Sequence, residues 1–265
     1  MSQTENTKKW ALILGVSSGF GAATARACSQ AGYNILGVHL DRKSTLAQVA
    51  ELQAELEKAG SRVIFSNMNA ADEGRRKEFL SSFQEKEPKA KISILLHSLA
   101  FGSLKPFLAE NTGASISKAQ VEMTLDVMAH SLVYWAQDIF FRKLFAPQAS
   151  VFAMTSAGSS RVWKSYGAVS AAKSALESHC RQMALELAPV GVRVNALLAG
   201  VTDTAALRKI PGNEEMILAA QKRNPMGRLT TPEDVAKGIV SLAHSDLAFM
   251  TGNVIHIDGG ENIVE

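Results

Sequence analysis

The sequence predicts a doubly wound α/β fold, with a mainly parallel, seven-stranded sheet covered by helices on both faces. Three observations carry this. Short apolar, β-branched runs alternate with longer amphipathic segments from end to end of the 265 residues. The runs are apolar at nearly every position, as strands buried on both faces must be. A glycine-rich turn joins the first run to the first helical segment, as in folds that wind a sheet around a nucleotide.

The elements follow in order. Trp10–Leu14 reads as a buried strand, followed by the glycine turn and a helix ending near Gly32. Residues 34–40 form a second strand. Ser44 is placed as the N-cap of a helix that runs to Lys58 and is stopped by Gly60. Val63–Asn67 is a third strand and 75–85 a helix. Ile92–His97 is the fourth strand and 151–155 the fifth, with a long apolar helix around 123–145 between them. Residues 165–188 form a helix, 192–198 the sixth strand and Val254–Ile257 the seventh. Residues 201–226 are the longest irregular stretch and contain Pro211, Gly212 and Pro225. Inside a compact domain such a segment is a functional lid rather than a second domain, so residues 1–265 are expected to form one domain.

Composition excludes several classes of function. Hydrophobic content is 46% and charged content 20%, values of a soluble enzyme with a large core. The net charge is only +3, and clusters such as Arg75-Arg76-Lys77 read as solvated helix faces, so no nucleic-acid partner is expected. Cys28 and Cys180 lie in helical patterns without metal-ligand spacing. No metal and no disulfide framework are expected, and a reducing compartment fits. The polar start MSQTENTKKW lacks the apolar stretch of a signal peptide, and no run is long enough to span a bilayer. The expected location is the cytoplasm.

The chemistry begins after the first strand. Gly15-Val-Ser-Ser-Gly19-Phe-Gly21 opens directly into a helix. Its glycines let backbone approach a pyrophosphate, whose charge a helix N-terminus favours. The acidic or basic character at the end of the second strand then selects the cofactor. An acid there binds both ribose hydroxyls, whereas basic residues attract a 2′-phosphate. Here His39 is followed by Asp41, Arg42 and Lys43. Arg42, helped by Lys43, reads as a clamp for the 2′-phosphate of NADPH, with NADH the less favoured cofactor. The competing reading leaves both as solvated turn charges, with Asp41 taking the ribose.

At the other end of the site stands Tyr166-Gly-Ala-Val-Ser-Ala-Ala-Lys173. Placed on one helix, residues seven apart lie within roughly 20° of one face and about 10 Å apart along the axis. Tyr33 and Tyr134 read as structural.

The glycine spacing G-x-x-x-G-x-G resembles the short-chain dehydrogenase/reductase family, whose fold is of the Rossmann type. Leu96-His-Ser-Leu-Ala100, Val194-Asn195-Ala196 with Ala199-Gly200, Met250-Thr-Gly252 and Ile257-Asp-Gly-Gly260 are similar to its further motifs. Most of that family has Tyr-x3-Lys, but the residue four before Lys173 is Val169, which transfers no proton. Ser156 keeps the family's offset of 17 residues before the lysine. Tyr-x6-Lys, with His97-Ser-Leu-Ala-Phe101 and Asp203-Thr-Ala-Ala-Leu207, resembles the NADPH-preferring branch of the bacterial enoyl-acyl carrier protein (ACP) reductases. Met128 stands where the wider family has a catalytic Asn.

The resemblance implies NADPH-dependent reduction of the trans-2 double bond of an enoyl thioester on ACP or coenzyme A, by a homotetramer. Tyr166, Lys173 and Ser156 would be catalytic, with Ser156 alternatively a strand-end hydroxyl. His97 is either catalytic or a structural strand-end histidine. Ala100 and Phe101 would border the substrate beside Ser156 and Tyr166. Cofactor contacts would come from Gly15, Ser17, Ser18, Gly19, Phe20, Gly21, His39, Arg42, Lys43, Met68 and Asn69. Ser98, Leu99, Ala100, Lys173, Gly200, Val201, Thr202 and Thr204 would complete them. Two other readings are a carbonyl reductase or alcohol dehydrogenase, and a non-catalytic NADP-binding sensor. Val169 argues against the first, the retained Tyr-Lys pair against the second.

Overall fold

A computed structural model describes residues 9–264. Most of the polar start, on which the expectation of no leader rests, lies outside them. Strand alternation builds the molecule. All five residues of β1 (Trp10–Leu14) are buried, with Trp10, Leu12 and Leu14 in one core and Ala11 and Ile13 in the other. Successive strand side chains point to opposite faces, so a wholly apolar strand needs cover on both.

The strands β2 (Asn34–His39), β3 (Val63–Asn67), β4 (Ile92–His97), β5 (Phe145–Thr155), β6 (Arg193–Ala199) and β7 (Val254–Ile257) complete the sheet. Their order is β3-β2-β1-β4-β5-β6-β7 and every pairing is parallel. Helices α1 (Gly19–Gln30), α2 (Leu46–Lys58) and α8 (Pro232–Leu242) pack on one face through residues such as Ala25, Leu52 and Ile239. Helices α3 (Glu73–Lys86), α4 (Lys118–Leu125), α5 (Ser131–Phe141) and α6 (Gly167–Leu187) take the other, through Phe83, Trp135 and Leu176. Trp10 meets Phe83 edge-to-face at 5.0 Å, and the Trp135 indole donates to the Ala70 carbonyl at 2.8 Å. The strand order reverses between β1 and β4, and the C-terminal ends of those strands open the crevice that holds ligands in such sheets.

Several boundaries differ from the sequence expectation, each for a local reason. The N-cap of α2 is Thr45 rather than Ser44, and its hydroxyl serves Asp41 (2.8 Å) instead of the helix. The cap of α3 is Asp72, whose side chain accepts from Arg75 N, so that helix starts earlier. The long apolar helix is broken by a π-helical turn, Asp126–His130, and ends at Phe141. Strand β5 begins six residues early, where a register shift against β4 accommodates exposed Pro147 and Gln148. The segment 201–226 is not irregular throughout: it holds a 3₁₀ turn, Leu207–Lys209, and helix α7 (Asn213–Arg223). Helix α6 starts at Gly167, so Tyr166 is its N-cap and the seven-residue helical spacing does not apply strictly.

Among the described residues no helix is long and apolar enough to cross a membrane, and no group of three His, Cys, Asp or Glu is placed to hold a metal.

Candidate active site

The crevice begins at the glycine turn. Gly15 sits at φ +90, and a Cβ there would collide with the Ser98 carbonyl. A Cβ on Gly21 would collide with the carbonyl of Gly15. Glycine is thus needed for the close approach of the turns after β1 and β4, which Ser98 N also joins by donating to Leu14 O at 2.9 Å. Ser18 is the N-cap of α1 and makes no side-chain bond to the helix, so the first amides of α1 carry no side-chain cap. A pyrophosphate fits such an end through charge and donors together. The methyl of Thr204 stands 3.7 Å from where a Cβ on Gly19 would be, bringing the start of the 201–226 segment over this turn.

At the end of β2 the expected contacts divide. His39 is buried, with Nδ1 3.0 Å from Asp41 Oδ2 and its ring edge-on to Phe65, so it supports Asp41 rather than offering a free ring. Partial burial works to raise the Asp41 carboxyl, but hydrogen bonding from Ser17, Thr45 and His39 outweighs it and holds the group below the usual carboxylate range. Arg42 and Lys43 are exposed. Met68 is buried in the core, and its backbone N donates to His39 O at 2.7 Å. Asn69 Oδ1 accepts from Ala71 N at 3.0 Å. Asn67, missed from the sequence, clamps the turn by accepting from Asp41 N and donating to Asp41 O, both at 3.0 Å.

Beyond β6, a Cβ on Gly200 would collide with Thr230 and come within 2.7 Å of a Glu261 oxygen. Val201 N donates to Glu261 Oε2 at 2.8 Å, and Thr202 is buried with its hydroxyl on Gly200 O. Glu261 was not legible from the sequence, because its partner lies 60 residues away.

Tyr166 is set by a turn. Its N donates to Trp163 O at 3.1 Å, Ser165 sits at φ +63, and Tyr166 O receives Ser170 N to open α6. Burial raises the Tyr166 phenol above its ordinary pKa. The nearby Ser156 hydroxyl works against that rise but stops short of a bonded geometry, since Ser156 Oγ is buried without a partner. Lys173 is buried and donates to Met154 O at 2.6 Å. Burial lowers its pKa from 10.5 to about 8, with Cys180 and Glu177 resisting.

One turn nearer the lysine the site is apolar. Val169 and Met128 are both buried, and a Cβ on Gly102 would meet Met128 Sδ at 2.8 Å and Val169 Cγ2 at 2.9 Å. The π-helical turn is what carries Met128. His97 is fully buried, with Nε2 2.9 Å from Ser131 Oγ; burial and then the Lys173 charge push its pKa down to about 3, so it stays neutral. Leu99 packs on the core, Ala100 and Phe101 are exposed, and the Phe107 ring stands 2.6 Å from where a Cβ on Gly167 would be. An apolar loop thus closes against the start of α6 beside Tyr166.

A glycine turn opening a helix at the β1/β4 crevice of this sheet marks a nicotinamide dinucleotide-binding oxidoreductase. A family model described as enoyl-(acyl carrier protein) reductase matches residues 15–262, and the chain belongs to that family within the short-chain dehydrogenases/reductases. The NADH enoyl-(acyl-carrier-protein) reductase of Aquifex aeolicus is 28% identical over 173 residues, which are 65% of this chain and 63% of that enzyme. The crystal structure of the Aquifex aeolicus NADH enoyl-(acyl-carrier-protein) reductase superposes with a TM-score of 0.84, covering 97% of each chain at 24% identity. The cis-4-hydroxycyclohexanecarboxylate dehydrogenase of Sinomonas cyclohexanicum is 31% identical over 271 aligned residues, 96% of each protein.

Proposed function

We propose that the protein reduces the trans-2 double bond of an enoyl thioester, carried on ACP or coenzyme A, using NADPH. The observation that carries this reading is the position of Tyr166 relative to Lys173. Tyr166 stands ahead of α6, while the position one turn nearer Lys173 is filled by Val169 packed with Met128. A bound nicotinamide supplies hydride, and for an enoyl thioester it goes to C3, so negative charge develops on the C1 oxygen two carbons away. A donor set back from Lys173 suits that oxygen. A ketone places oxygen on the hydride-accepting carbon and needs a donor where Val169 is.

The protonation states agree with these roles. A half-buried Tyr166 with a raised pKa remains a phenol, a hydrogen-bond donor rather than a base. Lys173 spends one of its three donors on Met154 O and has two left for a dinucleotide ribose. Its positive charge favours the developing enolate. Phe101 and Phe107 give an acyl chain an apolar wall. Segment 201–226 closes over it as a lid.

NADPH is favoured because Asp41 is already engaged by His39, Thr45 and Ser17, whereas Arg42 and Lys43 stand exposed. The Aquifex relative is named for NADH. Arg42→Ala is expected to lower the NADPH-to-NADH ratio of kcat/KM by about tenfold, the order of one charge-assisted phosphate contact. An unchanged ratio removes the clamp. The reaction itself is tested by following dinucleotide oxidation with crotonyl and acetoacetyl thioesters. Turnover of crotonyl alone supports the reading, and turnover of acetoacetyl alone makes the protein a carbonyl reductase like its dehydrogenase relative.

A further inference from the structure

We propose that Trp163 is a positioning residue: its indole ties segment 201–226 to the turn presenting Tyr166, so that lid docking over an acyl chain and placement of the Tyr166 hydroxyl are one event. This rests on the reading of Tyr166 as the donor to an enoyl thioester.

Three sets of contacts support it. Trp163 opens the tight turn that ends in Tyr166, with Tyr166 N on Trp163 O at 3.1 Å and Ser165 held in the left-handed region between them. A non-glycine residue at φ +63 persists only where its surroundings hold it there. The Trp163 side chain reaches away from this turn to the lid, where Nε1 donates to Pro211 O at 2.9 Å. Its ring also lies against Gly212, the left-handed N-cap of α7, 3.3 Å from where a Cβ would stand.

The ends of the segment are anchored elsewhere. Val201 N and the Arg223 guanidinium both donate to Glu261, at 2.8 and 3.0 Å, and Asn224 Nδ2 donates to Asp258 O at 2.9 Å. The hinges are therefore fixed to the C-terminal loop, and on the Tyr166 side the middle is held through Trp163. The segment's Leu218 and Met226 are each 68% exposed, which leaves apolar surface for an acyl chain to cover. A phenylalanine at 163 would supply the ring against Gly212 but no donor for Pro211 O, so it separates the latch from simple packing.

The molecule also carries its own reporter. Of the three tryptophans, Trp10 and Trp135 are buried and Trp163 is 38% exposed, so quenching of indole emission by acrylamide reads Trp163. Dinucleotide together with a saturated dodecanoyl thioester is expected to lower that quenching at least about twofold in the unaltered protein, as ring burial requires. In Trp163→Phe, KM for a ten-carbon trans-2-enoyl thioester should rise about fivefold and kcat fall, the order of one lost hydrogen bond. Dinucleotide affinity should change less than about twofold, since the Trp163 indole meets the segment at Pro211 and Gly212, past Thr204, the residue that stands over the glycine turn. Amides of residues 207–216 should exchange faster. Unchanged exchange with unchanged KM overturns the proposal, as does a parallel loss of dinucleotide affinity, which would mark a general loosening. Should the unaltered protein turn over no thioester, the reading of the reaction falls, while exchange and quenching still decide the latch.

Discussion

Tyr166→Phe is expected to lower kcat by about 10²–10³ while dinucleotide affinity changes less than about twofold. The substitution removes one oxygen and leaves the ring, which is half-buried against Gly158 in the 3₁₀ turn that follows β5. In the proposed reaction the loss falls on the transition state, because charge would develop there on the thioester oxygen assigned to the phenol. Stopped-flow turnover and equilibrium dinucleotide titration check the two halves. A fall in kcat below about threefold would mean that no developing charge faces this hydroxyl. Parallel losses in kcat and dinucleotide affinity would place the hydroxyl on the cofactor instead.

Lys173→Met should do more damage, and in a different pattern. The ammonium is assigned both to the ribose and to the field around Tyr166, so dinucleotide binding and kcat fall together. The pH dependence has a definite sign. With a pKa of about 8, Lys173 is charged below that pH and loses its proton above it, so kcat/KM for the dinucleotide should decline through pH 8. In Lys173→Met that limb should vanish along with most activity. Stability should move the other way. The unfolded chain keeps this proton up to 10.5 and the folded chain releases it near 8, so this group makes stability rise with pH between those values. Below pH 8 the buried charge costs stability, and Lys173→Met is expected to raise the melting temperature at pH 7 while abolishing turnover. A variant both inactive and less stable would show that the lysine is there to hold the fold.

How much of this was legible in the sequence depends on the range of the interactions. Strands β1, β3, β4 and β7 were placed to the residue because an apolar run bounded by turn residues is a local signal. The start of β5 was hidden by exposed Pro147 and Gln148, and the break between α4 and α5 by apolar residues on both sides of it. Helix α7 could have been found: Glu214 and Glu215 in its first turn and Lys222 and Arg223 in its last complement the helix dipole. The glycine turn and the Tyr-Lys pair were legible because their spacing lies within one element or one turn. The clamps that Asn67 and Glu261 place on the cofactor turns span 26 and 60 residues, and nothing local announces them. The start of α6 turned on Ser165, whose left-handed backbone makes Tyr166 a cap instead of a helical residue.

The most direct measurement follows the hydride. The protein is supplied with nicotinamide dinucleotide deuterated at C4 and with a mixture of crotonyl and acetoacetyl thioesters, and the products are read by mass spectrometry and NMR. A donor at Tyr166 with an apolar Val169 predicts deuterium at C3 of a saturated butyryl thioester, with the acetoacetyl thioester untouched. Deuterium on the carbinol carbon of a 3-hydroxybutyryl thioester, with the crotonyl thioester recovered unchanged, would contradict the assignment.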